Sequence, residues 1–315
     1  MKLILAFFRL VRLLNLVFIV LTQCLFQYCI VVPAFNQYRN EPIMNAPLFW
    51  LLVLASVCIA AAGYVINDYF DLNIDRVNKP DKLVVEKIIG RRFAILWHLG
   101  LSGLGIILSF YVGFKIGNPL IGLFNSGCVI LLWFYSTSFK KRLLIGNIII
   151  SLLTAWVVLV LYVVEIPHHP FRPIDKNLLL SVKRIFKLAV LYGGFAFIIS
   201  LIREVIKDIE DMHGDAKYGC KTMPIVWGLH VSKVFIATWL IVLICTLAII
   251  QLYVFPFRWY WLIIYCLVLI LLPLFYVFRK LFTANSSKDF HHLSQVVKLV
   301  MATGIISMIF FRIYL

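Results

Sequence analysis

The chain has 315 residues, of which 63% are hydrophobic and only 14% charged, and its mean hydropathy is +0.98. Ordinary soluble domains are about 45–50% apolar and about 25% charged, so lipid must be the solvent for most of this surface; that excludes a cytosolic globular enzyme, a secreted disulfide scaffold and a disordered tail. The net charge of +16 comes from thirty Lys and Arg set between apolar runs, which marks the inner loops of a membrane protein rather than a nucleic-acid partner.

In chain order, a basic start (Lys2, Arg9, Arg12) leads into an uncharged run over 13–38. It has no small-residue cleavage site and is longer than the apolar region of a signal peptide, so it reads as a first span. Further uncharged runs cover 42–67, 93–114, 116–139, 143–164, 234–257 and 259–278, each near the roughly 20 residues a spanning helix needs. Shorter runs at 188–202 and 299–311 reach full length if Lys187, Arg203, Lys298 and Arg312 snorkel to the interfaces. All are continuously apolar, unlike the alternating strands of a membrane barrel. The expected fold is therefore all-α and polytopic: nine transmembrane helices around a central cavity, one domain over 1–315. With the N-terminus in the cytoplasm the inner segments hold twenty Lys and Arg against nine outside, which sets that orientation. Six of the seven cysteines lie in apolar runs and Cys220 stands alone in a loop, so no disulfide framework is expected.

Ten of the fourteen carboxylates fall in two places: Asp68, Asp71, Asp75, Asp81 and Glu86, then Glu204, Asp208, Glu210, Asp211 and Asp215. Both places are expected as cytoplasmic loops continuing the second and sixth spans. Asp68, Asp71, Asp75 and Asp208, Asp211, Asp215 share the spacing D-x-x-D-x-x-x-D, which puts each trio on one helix face. The offset of 140 residues and four spans indicates a parallel internal repeat, with the second and sixth spans as neighbours on one cavity. Three carboxylates in a row beside a bilayer repel one another unless cations offset them, and Arg76, Lys79, Arg203 and Lys207 do so only in part. A solvated helix cap would explain one such trio; two matched trios on one side of the membrane point to Mg²⁺, which shares carboxylates with phosphate oxygens. The six aspartates are the candidate metal ligands, with a diphosphate between them and nearby basic residues on its free oxygens. A diphosphate head on a greasy tail describes a polyprenyl diphosphate.

Weaker features complete the pattern. Asn15, three residues past Arg12, is a polar group in an apolar run that faces either a cavity or a helix–helix hydrogen bond. The pairs His168-His169 and His291-His292 read as interfacial loop histidines, since no Cys or carboxylate is spaced to complete a metal site.

On these residues the chain resembles the UbiA-type intramembrane prenyltransferases. The likeness rests on N-D-x-x-D-x-x-x-D from Asn67 to Asp75, the second Asp-rich motif from Asp208 to Asp215, and G-x-K-T-x-P from Gly219 to Pro224. It also rests on Tyr135, Ser136, Lys140, Gly146 and Asn147. The resemblance implies that the six aspartates bind Mg²⁺ and that Lys140, or its neighbour Lys141, contacts the diphosphate. It also implies substrate contacts from Asn15, Asn67, Arg76, Lys79, Tyr135, Lys207 and Lys221. Many relatives continue the first motif as N-R-P-x-R-P-[LI]-x-S-G, whereas this chain has Asn78-Lys79-Pro80-Asp81-Lys82-Leu83, without the second Pro and the Ser-Gly. The implied activity is Mg²⁺-dependent transfer of a polyprenyl group to a lipophilic acceptor in a bacterial or archaeal cell membrane. Membrane lipid is the expected surrounding, with no nucleic acid and no protein partner. The string from Arg203 to Asp215 most resembles the branch whose acceptor is geranylgeranylglycerol phosphate; an aromatic quinone or tetrapyrrole precursor is the alternative. A cation-coupled transporter is more distant, because transporter ion sites lie near the midplane and these carboxylates lie at span ends.

Overall fold

The computed structural model describes residues 2–78, 85, 89–167 and 176–314. Nine helices among them are long and apolar enough to cross a membrane: Leu13–Asn36, Ala46–Val77, Arg91–Lys115, Leu120–Thr137, Ile145–Val164, Lys176–Glu210, Gly228–Phe257, Tyr260–Thr283 and Ser287–Tyr314. They are called the first to ninth spans below. The expected nine-helix, all-α architecture is present. Helix ends differ most where charges lie: the sixth span runs for 35 residues against an uncharged core of 188–202. The backbone hydrogen-bond ladder continues through Lys and Arg that lie beyond the apolar stretch.

The two Asp-rich segments are not loops. Asp68, Asp71 and Asp75 lie on the last three turns of the helix Ala46–Asn78, and Asp208 lies on the last turn of Lys176–Glu210. The second segment then breaks at Asp211 and resumes as the short helix Met212–Lys217, which carries Asp215. Only the first trio keeps the single-face stripe that its spacing predicts.

Two spans contain a wider π turn, Gln27–Val31 in the first and Leu267–Leu271 in the eighth. Each leads to a proline, Pro33 and Pro273, whose ring crowds the carbonyl four residues back. The wider turn makes the room. In the eighth span the carbonyl concerned, Leu269 O, accepts from the Thr303 hydroxyl at 2.9 Å, which restores a bond that lipid could not supply.

The second, third and fourth spans pack as one group, and the fifth packs along the sixth. The seventh and ninth spans lie on the sixth, and the eighth joins them. The first span touches the second, fifth and ninth, closing a ring. The second and sixth spans are thus not the closely packed neighbours expected: the first span packs on both, the fifth packs on the sixth, and the short helix Met212–Lys217 packs on the second span. Ahead of the first span, the helix Lys2–Leu10 turns at Arg12, whose backbone is left-handed with φ of 53°. A core around Phe26, Phe35, Phe49, Ile185 and Tyr192 fills the end of the bundle away from the aspartates. At that end Glu165 is fully buried. Its Oε2 accepts from the Ile43 amide at 2.7 Å and tethers the segment between the first two spans. Burial pushes this carboxyl up to about 7.

Candidate active site

Inside the ring lies a cavity of about 1060 Å³ lined by the first, second, fourth, fifth, sixth and ninth spans. All six aspartates of the two trios line its polar end, with Asn15, Asn67, Tyr135, Lys140 and Lys207. Arg76 and Lys221 are exposed and do not line it. Lys79 lies outside the described residues, as do His168 and His169.

On the second-span side, the Arg12 guanidinium donates to Asp68 Oδ1 at 2.8 Å and sits 5.0 Å from the centroid of the Tyr64 ring. Lys140 Nζ pairs with Asp71 and lies 3.4 Å from Asn67 Oδ1. The lysine is held by close backbone packing. It belongs to a tight turn, Phe139–Lys141, pressed against the start of the fifth span, where a Cβ on Gly146 would stand 2.8 Å from Lys140 Cα. The Lys221 amide donates to Lys141 O at 2.8 Å and ties the same turn to the segment after Gly219, whose φ of 71° needs a glycine. Of the two lysines left open by the spacing, Lys140 enters the cavity and Lys141 is exposed.

On the sixth-span side, Asn147 Nδ2 donates to Asp208 Oδ2 at 2.8 Å. One turn deeper, Glu204 accepts from Arg203 and Lys207, each at 3.2 Å. His291, on the second turn of the ninth span rather than in a loop, pairs with Glu210 at 2.8 Å. Cys220 also lines this end; burial pushes its thiol up to about 11, so it stays protonated and is a poor nucleophile near neutral pH. Among the described residues no three His, Cys, Asp or Glu converge on one point.

Below the charged end the walls turn apolar, with Phe18, Leu132, Trp156, Phe195 and Ile305. The polar atoms there are largely tied to one another: Trp156 Nε1 donates to Asn125 Oδ1 at 2.8 Å, and Asn125 Nδ2 to the Ser109 hydroxyl at 2.8 Å. The cavity ends on Tyr192, hydrogen-bonded to Ser307 at 2.9 Å, and on Met308, both members of the core that fills the far end.

Several groups at this site escape a reading of spacing alone. Arg12, Arg203 and Lys298 read as charges at span edges, yet all three line the cavity. Glu204 had a legible signal, since it stands four residues before Asp208 and so extends the same face.

The sequence matches the UbiA prenyltransferase family over residues 16–301. It is 30% identical to the digeranylgeranylglyceryl phosphate synthase of Methanosphaera stadtmanae over 81% of this chain and 86% of that one. A solved structure of a digeranylgeranylglyceryl phosphate synthase superposes with a TM-score of 0.61 at 24% identity, covering 98% of this chain and 99% of its own. A UbiA homologue from Archaeoglobus fulgidus, solved with DMAPP and Mg²⁺ bound, gives 0.58 at 17% identity over 96% and 98%.

Proposed function

As a member of the UbiA prenyltransferase family, the chain is an integral membrane prenyltransferase, and we propose that it joins a polyprenyl group to the hydroxyl of a prenylated glycerol phosphate. What supports this reading is the cavity itself: two carboxylate groups and Lys140 at the polar end of a long apolar pocket, shaped for a diphosphate head on a hydrocarbon tail. The acceptor class follows the name of the Methanosphaera stadtmanae relative. The excess of Lys and Arg on that side supports a cytoplasmic aspartate end and N-terminus, in the membrane of an archaeal or bacterial cell.

The donor set suits Mg²⁺. Its six proposed ligands are hard carboxylate oxygens without thiolate or imidazole, and Mg²⁺ usually takes one or two carboxylates and completes its shell with water and phosphate. A protein cage of three converging groups is therefore not required. Asp68, Asp71 and Asp75 would hold the ion on one side, and Asp208, Asp211 and Asp215 on the other. Bound Mg²⁺ supplies Lewis-acid stabilisation of the diphosphate.

The chain's own groups account for the rest. As the bond from C1 to oxygen breaks, the electron pair leaves with the diphosphate, and Lys140 faces the negative charge that grows there. Asn67 and Asp71 hold Lys140 in place. The apolar walls, which include Phe18, Trp156 and Phe195, keep water from the allylic cation. The acceptor oxygen then bonds to C1, and its proton leaves with the diphosphate.

The test is mass spectrometry of products from the purified protein in lipid nanodiscs, given Mg²⁺, geranylgeranyl diphosphate and geranylgeranylglyceryl phosphate. An ether carrying two prenyl chains and one phosphate is expected. Prenylation of an aromatic acid alone would overturn the acceptor class.

A further inference from the structure

Lys298 lies within the ninth span, on a segment whose sequence suggests snorkelling, yet its ammonium turns into the cavity. It donates to the neutral Asn15 Oδ1 at 3.3 Å and stands 5.6 Å from the centroid of the Phe18 ring. A cation turned into a cavity away from bulk water is stabilised by an anionic partner. The charges of Arg203 and Lys207, both paired with Glu204, reach Lys298 from the sixth span. Those two residues are four apart, so they share a helix face next to the one that carries Glu204 and Asp208. Arg203 Nε is buried and has no hydrogen-bond partner.

This basic corner, between the first, sixth and ninth spans, adjoins the Arg12 corner through Asn15 and Tyr64, while Lys140 pairs with Asp71 of the first aspartate trio. Beside the basic corner Leu13 and Leu14 line the cavity and are exposed, so a chain attached to an anion held here meets an apolar surface. The proposed reaction has two anionic substrates, and the diphosphate fits between the aspartate trios.

We propose that Lys298, assisted by Arg203, binds the phosphate monoester of the acceptor lipid and so determines acceptor specificity. The inference rests on the lipid-phosphate acceptor proposed above. Held by its phosphate, the acceptor turns its glycerol hydroxyl toward C1 of the donor.

The experiment compares wild type, Lys298→Met and Lys298→Arg, full-length in nanodiscs, with geranylgeranylglyceryl phosphate and with its phosphate-free alcohol. For Lys298→Met, KM for the phosphate lipid is expected to rise at least about tenfold, the loss typical of a hydrogen bond to a charged group. KM for geranylgeranyl diphosphate should stay within about twofold. Lys298→Arg should recover most of the loss, and wild type and Lys298→Met should use the alcohol equally. Binding of the phosphate lipid to Mg²⁺-free protein, read by native mass spectrometry, should weaken in parallel. An equal effect on both acceptors, no effect, or a rise in KM for the diphosphate instead would overturn the inference. Wild type that ignores the phosphate lipid but prenylates an aromatic acid would show that the proposed function itself had failed, before any variant is made.

Discussion

Asp71 and Lys140 come from segments 69 residues apart and meet as a half-buried pair at the site. Removing one partner of such a pair leaves the other charge uncompensated. Asp71→Asn and Lys140→Met should each cost about 1–3 kcal/mol of stability. The double variant should regain part of that, because the orphaned charge is gone. Turnover, followed by product formation, should fall at least about 100-fold in all three, since each loses a group that faces the diphosphate. Recovery of activity together with stability would show that the pair only holds the fold. Glu165 makes a different prediction at the other end of the bundle. Its carboxyl titrates at about 7 when folded against 4.5 ordinarily, so the fold prefers the protonated form. Below about pH 4.5 both states are protonated and nothing is lost. Above about pH 7 both are ionised and the fold bears the full penalty, on the order of 3 kcal/mol. Thermal midpoints of wild type should therefore decline between pH 5 and pH 8, and those of Glu165→Gln should stay flatter. At this scale the aspartates were legible because six like charges in matched spacing have few other uses. Arg12 and Lys298 were not, because a basic residue at the edge of an apolar run looks the same whether it turns to the head groups or inward.

Helices that carry the chemistry run past the apolar stretches that announce them. Hydropathy marks only the part of a helix in contact with lipid, so it reads the sixth span as half its length. The break at Asp211 was equally hidden: no Pro or Gly stands there, and the period of the aspartates continues through it. Packing of the following helix on the second span supplies an external reason for the bend. The Lys140 turn is the converse case, in which one small residue fixes an element. Gly146→Ala would place a methyl group 2.8 Å from Lys140 Cα, and the contact is backbone, which cannot rotate away. The expected result is about 1–3 kcal/mol of destabilisation and at least about a tenfold lower kcat as Lys140 shifts from Asp71. Equal kcat in the two proteins would mean that the turn has slack.

At the scale of the molecule, the nine spans could be read from counts of apolar residues and the cavity from the two aspartate trios, whereas the order of helices around the cavity could not. That order depends on which faces interlock, and uniformly apolar faces give no pattern to read. The arrangement has a direct consequence for Asp68 and Asp208. Cysteines at these positions, in a background without the seven native thiols, should not form a direct disulfide, because the helices bearing them are not packed together. A reagent with a spacer should bridge them, and a diphosphate analogue should slow the bridging. Rapid direct disulfide formation would place the two spans side by side. The pocket also reaches deep, as far as Tyr192 and Met308, where the core begins. The proposed product carries both hydrocarbon chains, the donor's and the acceptor's, and must move both out of the pocket together. Release of so apolar a product, rather than bond making, is expected to set the pace, with the surrounding bilayer as the sink into which the enzyme empties. Turnover at saturating substrate should track the fluidity of that sink, rising sharply when nanodisc lipids pass from gel to liquid, while a single-turnover burst measured in the same discs changes little.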